Sequence, residues 1–143
     1  MLVISVSAWA VAQLLKMIFG LLREGRLDLG FFVRSGGMPS SHTALVCALA
    51  TSAAITQGLN SIAFAITAIL AMVVMYDAAG VRQAVSRQSI ILNRIMRELI
   101  DKRPRDEVEH DLRELIGHTP FQVIAGAVLG ILIAWLWLAI SGV

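Results

Sequence analysis

Apolar positions in this chain of 143 residues form long runs that are divided by two charged segments and one short uncharged turn. Each run is close in length to the about 20 residues with which a helix crosses a bilayer. The runs predict four helices, over residues 2–22, 40–58, 61–79 and 119–141. The second is rich in Ala, Ser and Thr, which is typical of a buried helix packed through small residues inside a membrane bundle.

The segment before the last helix contains a fifth periodic stretch, at residues 84–102. Apolar residues recur there at helical spacing and basic residues occupy the intervening face, so the pattern predicts a basic amphipathic helix. Such a helix either lies at the level of the lipid headgroups or docks on the bundle or on a partner subunit, and the sequence leaves both open.

The composition also indicates a membrane protein. Hydrophobic residues make up 57% of the chain and charged residues 15%, whereas about a quarter of the residues in soluble proteins are charged. The first run lacks a basic leader and a cleavage pattern and is interpreted as a retained helix. The single cysteine, Cys47, excludes a disulfide framework. We therefore predict an all-α integral membrane helical bundle with about four transmembrane helices in one domain, residues 1–143.

Charge lies on one side of the predicted bundle. The connections before the second and fourth helices are charged, whereas the turn at 57–61 and both chain ends carry no charged side chain. With four spans the two charged connections share one face, and the positive-inside rule places that face in the cytoplasm. The expected location is the cell (inner) membrane, with both termini outside.

Two cations lie at the charged end of the first helix. Lys16 and Arg23 are seven residues apart, so their side chains point to roughly the same side. A cation that snorkels to the headgroups explains Arg23 alone. Lys16 lies deeper, where an ionisable residue is costly and usually faces the interior of the bundle.

The second helix follows the segment SGGMPSSH, residues 35–42. Its two glycines permit a tight turn, and Pro39 suits a first helical turn. Ser40 and Ser41 are natural N-cap residues, which puts His42 in the first turn of the helix. Free backbone N–H groups and the helix dipole make such a turn an anion site, although an ordinary capped helix start explains the pattern equally well.

Two more polar segments lie at the same face. The segment GHTP opens the last helix, with His118 at its mouth and Pro120 in its first turn. The segment YDAAGVR closes the third helix, where the dipole disfavours the carboxylate of Asp77 and a cation such as Arg82 would compensate it.

Two helix N-termini and several cations therefore converge on one face. The cations are Lys16, Arg23, Arg34 and Arg82. This combination favours a multiply charged oxyanion, for which phosphate is the obvious candidate.

These residues resemble a known superfamily. Type-2 phosphatidic acid phosphatases and vanadium-dependent haloperoxidases share the motifs K-x6-R-P, P-S-G-H and S-R-x5-H-x3-D. Lys16 and Arg23 match the first motif in spacing, and His118 stands for the histidine of the third. The tetrapeptide PSSH matches the second motif with Ser41 in place of Gly. The segments SGGMPSSHTA, MYDAAGVR and GHTP are similar, in the same order, to the signatures of the divergent branch of this superfamily.

The resemblance implies roles for individual residues. His118 would be the nucleophile that forms a phosphohistidine, and His42 would protonate the leaving oxygen and then activate water. Lys16, Arg23, Ser40 and the amides of the turn before the second helix would hold the phosphate oxygens, with Arg34, Ser41 and Arg82 as further phosphate-binding candidates. The phosphatase mechanism of the superfamily requires no metal, and we expect no cofactor.

This chain departs from the pattern of the superfamily at three places. Gln122 stands where an Asp, four residues after the histidine, orients the imidazole. Glu24 replaces the proline that follows Arg23, and the Ser-Arg pair before His118 is missing. Asp77, on the third helix, is our candidate for the role of the absent Asp.

The sequence thus predicts a metal-independent phosphohydrolase of a phosphate or diphosphate monoester, carried on a lipid and cleaved at the cytoplasmic face. Two alternatives stay open: a non-catalytic membrane protein that binds or carries a phosphorylated lipid, and a structural subunit of a membrane complex. The expected partners are a phosphorylated lipid or another phosphate monoester and the membrane, without nucleic acid. Homo-oligomerisation through small-residue helix faces would supply further packing surface.

Overall fold

The structure is a computed structural model that describes residues 1–24, 37–81, 88, 90–92 and 120–142, apart from the side chains of residues 23, 24 and 81. The elements that it describes are helical: α1 (Leu2–Glu24), α2 (Ser41–Gln57), α3 (Ile62–Tyr76), a π-helical segment (Asp77–Val81) and α4 (Pro120–Ser141). The prediction of an all-α membrane helical bundle is therefore confirmed.

Three helices in the described part are long and apolar enough to cross a membrane. They cover Leu2–Leu22, Ile62–Gly80 and Pro120–Ser141. Helix α2 has 17 residues and is not among them, so the predicted count of four spans stays a prediction. The basic helix predicted at 84–102 lies almost wholly outside the described residues and also stays a prediction.

Helix α2 occupies the middle of the bundle and contacts α1, α3 and α4. Its buried stripe consists of Ser40, just before the helix, and Ala44, Ala48 and Ser52, all 0% exposed. Residues at every fourth position lie on one helical face. The small side chains therefore let the three surrounding helices approach α2 closely, as its composition predicts.

The inward face of α1 also repeats at every fourth residue. Ile4, Ala8, Ala12 and Lys16 are each 4% exposed or less. Ile4 and Ala8 belong to an apolar core with Ala48 of α2 and two residues from the C-terminal half of α4. Because Lys16 continues the same stripe toward the C-terminal end of α1, its side chain enters the bundle instead of facing lipid.

Helices α2 and α4 approach so closely that their backbones touch. A Cβ added at Gly126 would collide with the carbonyl oxygen of Ser40, and one added at Gly130 would collide with that of Ala44. These two contacts advance together along both helices, so α2 and α4 run parallel and begin at the same end of the bundle. Small residues at every fourth position commonly permit such approach in membranes.

A tight turn returns the chain to that end. Gly58 has a φ of +85°, a region that favours glycine, and its N–H donates to the carbonyl of Ala54 at 3.0 Å. Ser61 then caps α3, because its hydroxyl accepts from the Phe64 N–H at 3.1 Å. The turn makes α3 antiparallel to α2, so the C-terminal end of α3 lies near the start of α2.

Candidate functional site

The structure brings three of the predicted site residues together. The Nζ of Lys16 donates a hydrogen bond to the Oγ of Ser41 at 3.3 Å. The two side chains are 3% and 1% exposed, and Ser40 is 0% exposed directly before Ser41. Among the described residues Ser41 is the hydrogen-bond partner of Nζ, which carries three N–H donors. Within the described part of the chain, the ammonium therefore has N–H donors left for an anion.

Ser40 is the N-cap of α2. Its backbone is extended, and its hydroxyl accepts from the N–H of Thr43 at 3.4 Å and from the hydroxyl of Thr43 at 3.0 Å. The N-cap predicted from the serine pair is thus Ser40. Pro39 precedes this cap and lies outside the first helical turn, contrary to expectation, because the extended cap residue stands between it and the helix.

The starts of α2 and α4 are joined through the backbone. The N–H of Ser40 donates to the carbonyl of Gln122 at 3.1 Å. Helix α4 begins at Pro120, so Gln122 lies in its first turn. We use the name polar junction for the side chains of Lys16, Ser40, Ser41 and Thr43 together with this carbonyl of Gln122.

Gly37 lies against the polar junction. Its φ is +100°, which explains a glycine at this position. A Cβ built there would lie 3.5 Å from both Cγ and Cδ of Lys16. The turn before α2 therefore rests on the aliphatic stem of Lys16 and keeps the ammonium pointed toward Ser41.

His42 lies at the start of α2 and Asp77 at the end of α3, and both helix ends are at this face. His42 is the second residue of α2 and is exposed, although Ser41 beside it is buried. Asp77 is half-buried and caps α3, and its N–H donates to the carbonyls of Val73 and Val74. It also begins the π-helical segment, a conformation that is frequent at functional sites.

The other predicted site residues lie outside the described part: His118, Arg34, Arg82 and the side chain of Arg23. His118 is two positions before the first residue of α4. The roles of these residues stay predictions.

Sequence reasoning missed two features of the site. Thr43 is fully buried and donates to Ser40, but a Thr in the first turn of a helix is too common to attract notice. Gly126 lets α4 reach Ser40. The sequence does contain a signal for this contact, because small residues recur at every fourth position of α4, at Gly126, Gly130 and Ala134.

The chemistry of the polar junction suits an anion. It contains one ammonium and three hydroxyls and lies at the N-terminus of α2, where backbone N–H groups and the helix dipole add positive potential. In the part of the chain that the structure describes, His, Cys, Asp and Glu do not form any group of three or more that could hold a metal ion.

Comparison with known proteins agrees with a membrane protein of this kind. A family model described as "Divergent PAP2 family" matches residues 1–133. The chain is 36% identical over 138 residues to the "Uncharacterized membrane protein YuiD" of Bacillus subtilis (strain 168), an alignment that covers 90% of this chain and 87% of the relative. No solved structure matches the chain with significance.

Proposed function

This chain belongs to the divergent PAP2 family, and we propose that it is a metal-independent phosphohydrolase of a lipid-borne phosphate or diphosphate monoester. The observation that carries the proposal is the buried ammonium of Lys16 at the start of α2, 3.3 Å from Ser41. A lysine inside a membrane span costs about 3 kcal/mol on insertion scales and commonly marks a substrate or ion site. A phosphate bound by Lys16 would explain why the chain has a lysine at this costly position.

The proposed reaction has two steps and uses both histidines. His118 attacks phosphorus, the bond from phosphorus to the leaving oxygen breaks, and His42 gives that oxygen a proton. His42 then takes a proton from water, whose oxygen attacks phosphorus and breaks the phosphorus–nitrogen bond. Inorganic phosphate leaves and His118 is restored. The exposure of His42 supports this role, because both the leaving group and water must reach it.

The polar junction would stabilise the charge that shifts among the phosphate oxygens. Lys16 and the N–H groups at the start of α2 are fixed before the reaction by Ser41, Gly37 and the cap at Ser40. Fixed donors of this kind stabilise a transition state without reorganising. Asp77 would orient an imidazole from α3, in place of the Asp that Gln122 replaces.

We place the reaction at the cytoplasmic leaflet. In the sequence, the charged connections join the helix ends on the side of the polar junction, and the positive-inside rule assigns that side to the cytoplasm, with both termini outside. A basic helix over residues 84–102 would concentrate anionic lipid near the site.

Gln122 favours a second candidate function, the binding or carriage of a phosphorylated lipid without chemistry. An amide orients an imidazole but stabilises its charged form less well than a carboxylate does. The backbone carbonyl of Gln122 already accepts the Ser40 N–H between α2 and α4. The polar junction needs no histidine to hold a phosphate.

The test is phosphate release by the purified full chain from a panel of lipid phosphates and diphosphates, without added metal. His118→Asn is compared with His110→Asn, a matched substitution in the same charged segment. We expect release from at least one substrate, a loss of about a hundredfold or more in His118→Asn, and wild-type rates in His110→Asn.

Two results contradict the phosphohydrolase. Equal release by wild type and His118→Asn would show that the activity is a contaminant or uses another nucleophile. No release from any substrate, with orthovanadate still bound by the folded protein, would contradict the phosphohydrolase and favour the second candidate function.

A further inference from the structure

Ser41 and Lys16 form a buried pair at the start of α2. The Oγ of Ser41 lies 3.3 Å from the Nζ of Lys16, and the two side chains are 1% and 3% exposed. When the amine is neutral, the hydroxyl donates to it across the same distance. A serine hydroxyl within hydrogen-bond reach of a base is the arrangement of an activated nucleophile, and a lysine amine is the base in Ser–Lys variants of the catalytic triad.

Ser41 lies where an extended backbone turns into a helix. Ser40 is extended, and Ser41 is the first residue of α2. Nucleophilic serines of many hydrolases lie at a similar turn, where the backbone N–H groups of the helix start stabilise an oxyanion. The N–H groups of Thr43 and Ala44 donate to Ser40. Those of Ser41 and His42 precede them in the first turn and would donate to an oxyanion formed beside Ser41.

The amine of Lys16 is held in place from two sides. Lys16 continues the inward stripe of α1, and the turn before α2 rests on its stem, where a Cβ built on Gly37 would lie 3.5 Å from Cγ and Cδ. A base fixed at its nucleophile needs little reorganisation before it takes a proton.

We propose that Ser41 and Lys16 are the nucleophile and the general base of a second activity, the hydrolysis of a carboxylic ester. This activity does not depend on the proposed phosphohydrolase, because the two need different forms of Lys16: the ammonium for a phosphate and the neutral amine for a proton acceptor. Without the ammonium charge, the polar junction suits an uncharged ester carbonyl better than a phosphate. The turn at Gly37 has to move aside for the ester, since Ser41 is 1% exposed.

The reaction has two balanced steps. Lys16 takes the hydroxyl proton of Ser41, Oγ bonds to the carbonyl carbon, the bond from that carbon to the alcohol oxygen breaks, and Lys16 gives the proton to the alcohol. Lys16 then takes a proton from water, whose oxygen attacks the acyl carbon. The bond from that carbon to Oγ breaks, and Lys16 returns the proton to Oγ. The products are the alcohol and the carboxylic acid.

The first measurement identifies the nucleophile in the wild-type chain. The purified full chain in detergent is treated with a fluorophosphonate, which a nucleophilic serine attacks at phosphorus with loss of fluoride, and the modified residue is identified by mass spectrometry. We expect the label on Ser41. Ser52 is the internal comparison, because it is also buried on α2 but donates to the carbonyl of Leu49 and has no lysine partner among the described contacts.

Three variants separate the pair from a structural hydrogen bond. Ser41→Ala should lower p-nitrophenyl acetate hydrolysis by about a hundredfold or more, and Ser52→Ala should hydrolyse the ester at the wild-type rate. Lys16→Arg should lose ester hydrolysis and labelling to the same extent, because a guanidinium stays protonated and cannot act as a base. It should still bind orthovanadate, since it keeps the positive charge, and this binding also shows that the variant is folded.

Each result decides for or against the pair. A folded wild-type chain that is unlabelled, or labelled at another residue, would overturn the nucleophile. A Lys16→Arg chain labelled at the wild-type rate would overturn the base, and equal ester hydrolysis in Ser41→Ala and Ser52→Ala would overturn the activity. Phosphate release without labelling of Ser41 would contradict the ester hydrolase alone, and labelling of Ser41 without phosphate release would support it and contradict the phosphohydrolase.

Discussion

The backbone N–H of Ser40 donates to the carbonyl oxygen of Gln122 at 3.1 Å, across the interface between α2 and α4. The bond joins two helices at the turns where each of them begins. It also links the cap of α2 to the residue that follows His118 by four positions. Anything that shifts the first turn of either helix therefore shifts both parts of the proposed site.

Ser40 and Ser61 provide a matched pair of helix caps. Each hydroxyl accepts the N–H of the residue three positions on, Thr43 for Ser40 and Phe64 for Ser61. Replacing either by Ala should lower the free energy of unfolding by about 1 kcal/mol. Only Ser40→Ala should also weaken orthovanadate binding, because Ser40 lies at the polar junction and Ser61 lies at the uncharged turn.

Thermal unfolding followed by circular dichroism, with calorimetric titration of orthovanadate, measures both effects in detergent-solubilised protein. Equal vanadate affinity in the two variants would show that the cap of α2 has no part in anion binding.

Lys16→Met should separate binding from stability. Loss of a charged hydrogen-bond donor costs about 1.5–3 kcal/mol, so vanadate affinity should fall by about tenfold or more. The unfolding temperature should stay the same or rise, since replacing a buried charge by an apolar side chain of similar length is often neutral or stabilising. Lys16→Arg is the matched control that keeps the charge.

A purely structural Lys16 predicts the opposite pattern. Lys16→Met would then unfold at a lower temperature, through loss of the bond to Ser41, and would bind vanadate as the wild type does. Calorimetric titration and circular dichroism on the same preparation distinguish the two cases.

Gly126→Ala should be among the most destabilising small substitutions in the chain. The added methyl group meets the carbonyl of Ser40, and backbone cannot move aside as a flexible side chain can. Overpacking of this kind costs about 1–3 kcal/mol. Gly80→Ala is the control, because a Cβ there has nothing within 4 Å. The midpoint of chemical unfolding checks both, and equal midpoints would contradict the close contact of α2 with α4.

Asp77→Asn tests whether α3 supplies the carboxylate that Gln122 replaces. Turnover should fall by about a hundredfold if Asp77 stabilises a charged imidazole, with vanadate binding retained. Gln122→Asp in the same chain should then restore part of the rate, because it returns a carboxylate four residues after His118. Full activity in Asp77→Asn, or no recovery in the double variant, would remove Asp77 from the mechanism.

Local signals in the sequence predict the helices and the cap of the candidate site. The serine pair at 40–41 precedes an apolar run and indicated the start of α2. Pro120 precedes the last apolar run and indicated the start of α4. The depth of Lys16 indicated an inward side chain, because a buried cation is costly in lipid. Each of these conclusions depends on a few neighbouring residues.

Other features depend on how helices rotate against one another, which local pattern does not specify. The choice of Ser41 as partner of Lys16 requires the register of α1 against α2, and the contact of Gly126 with Ser40 requires the register of α4 against α2. Two adjacent serines can each act as the cap of α2, and only the observed bond from Thr43 to Ser40 selects one. Pro39 precedes both serines and therefore lies outside the first helical turn with either cap.

The shortness of α2 affects the depth at which the proposed reaction would take place in the membrane. At 1.5 Å per residue, its 17 residues span about 25 Å, less than the about 30 Å of a hydrocarbon core. Lys16 lies about 21 Å along α1 from Leu2 on the same scale. A phosphate that meets it must descend below the plane of the headgroups, or the bilayer must thin there. A small terminal phosphate can reach that depth. A choline or a sugar attached to the phosphate would also have to enter the hydrocarbon core, at a cost in free energy.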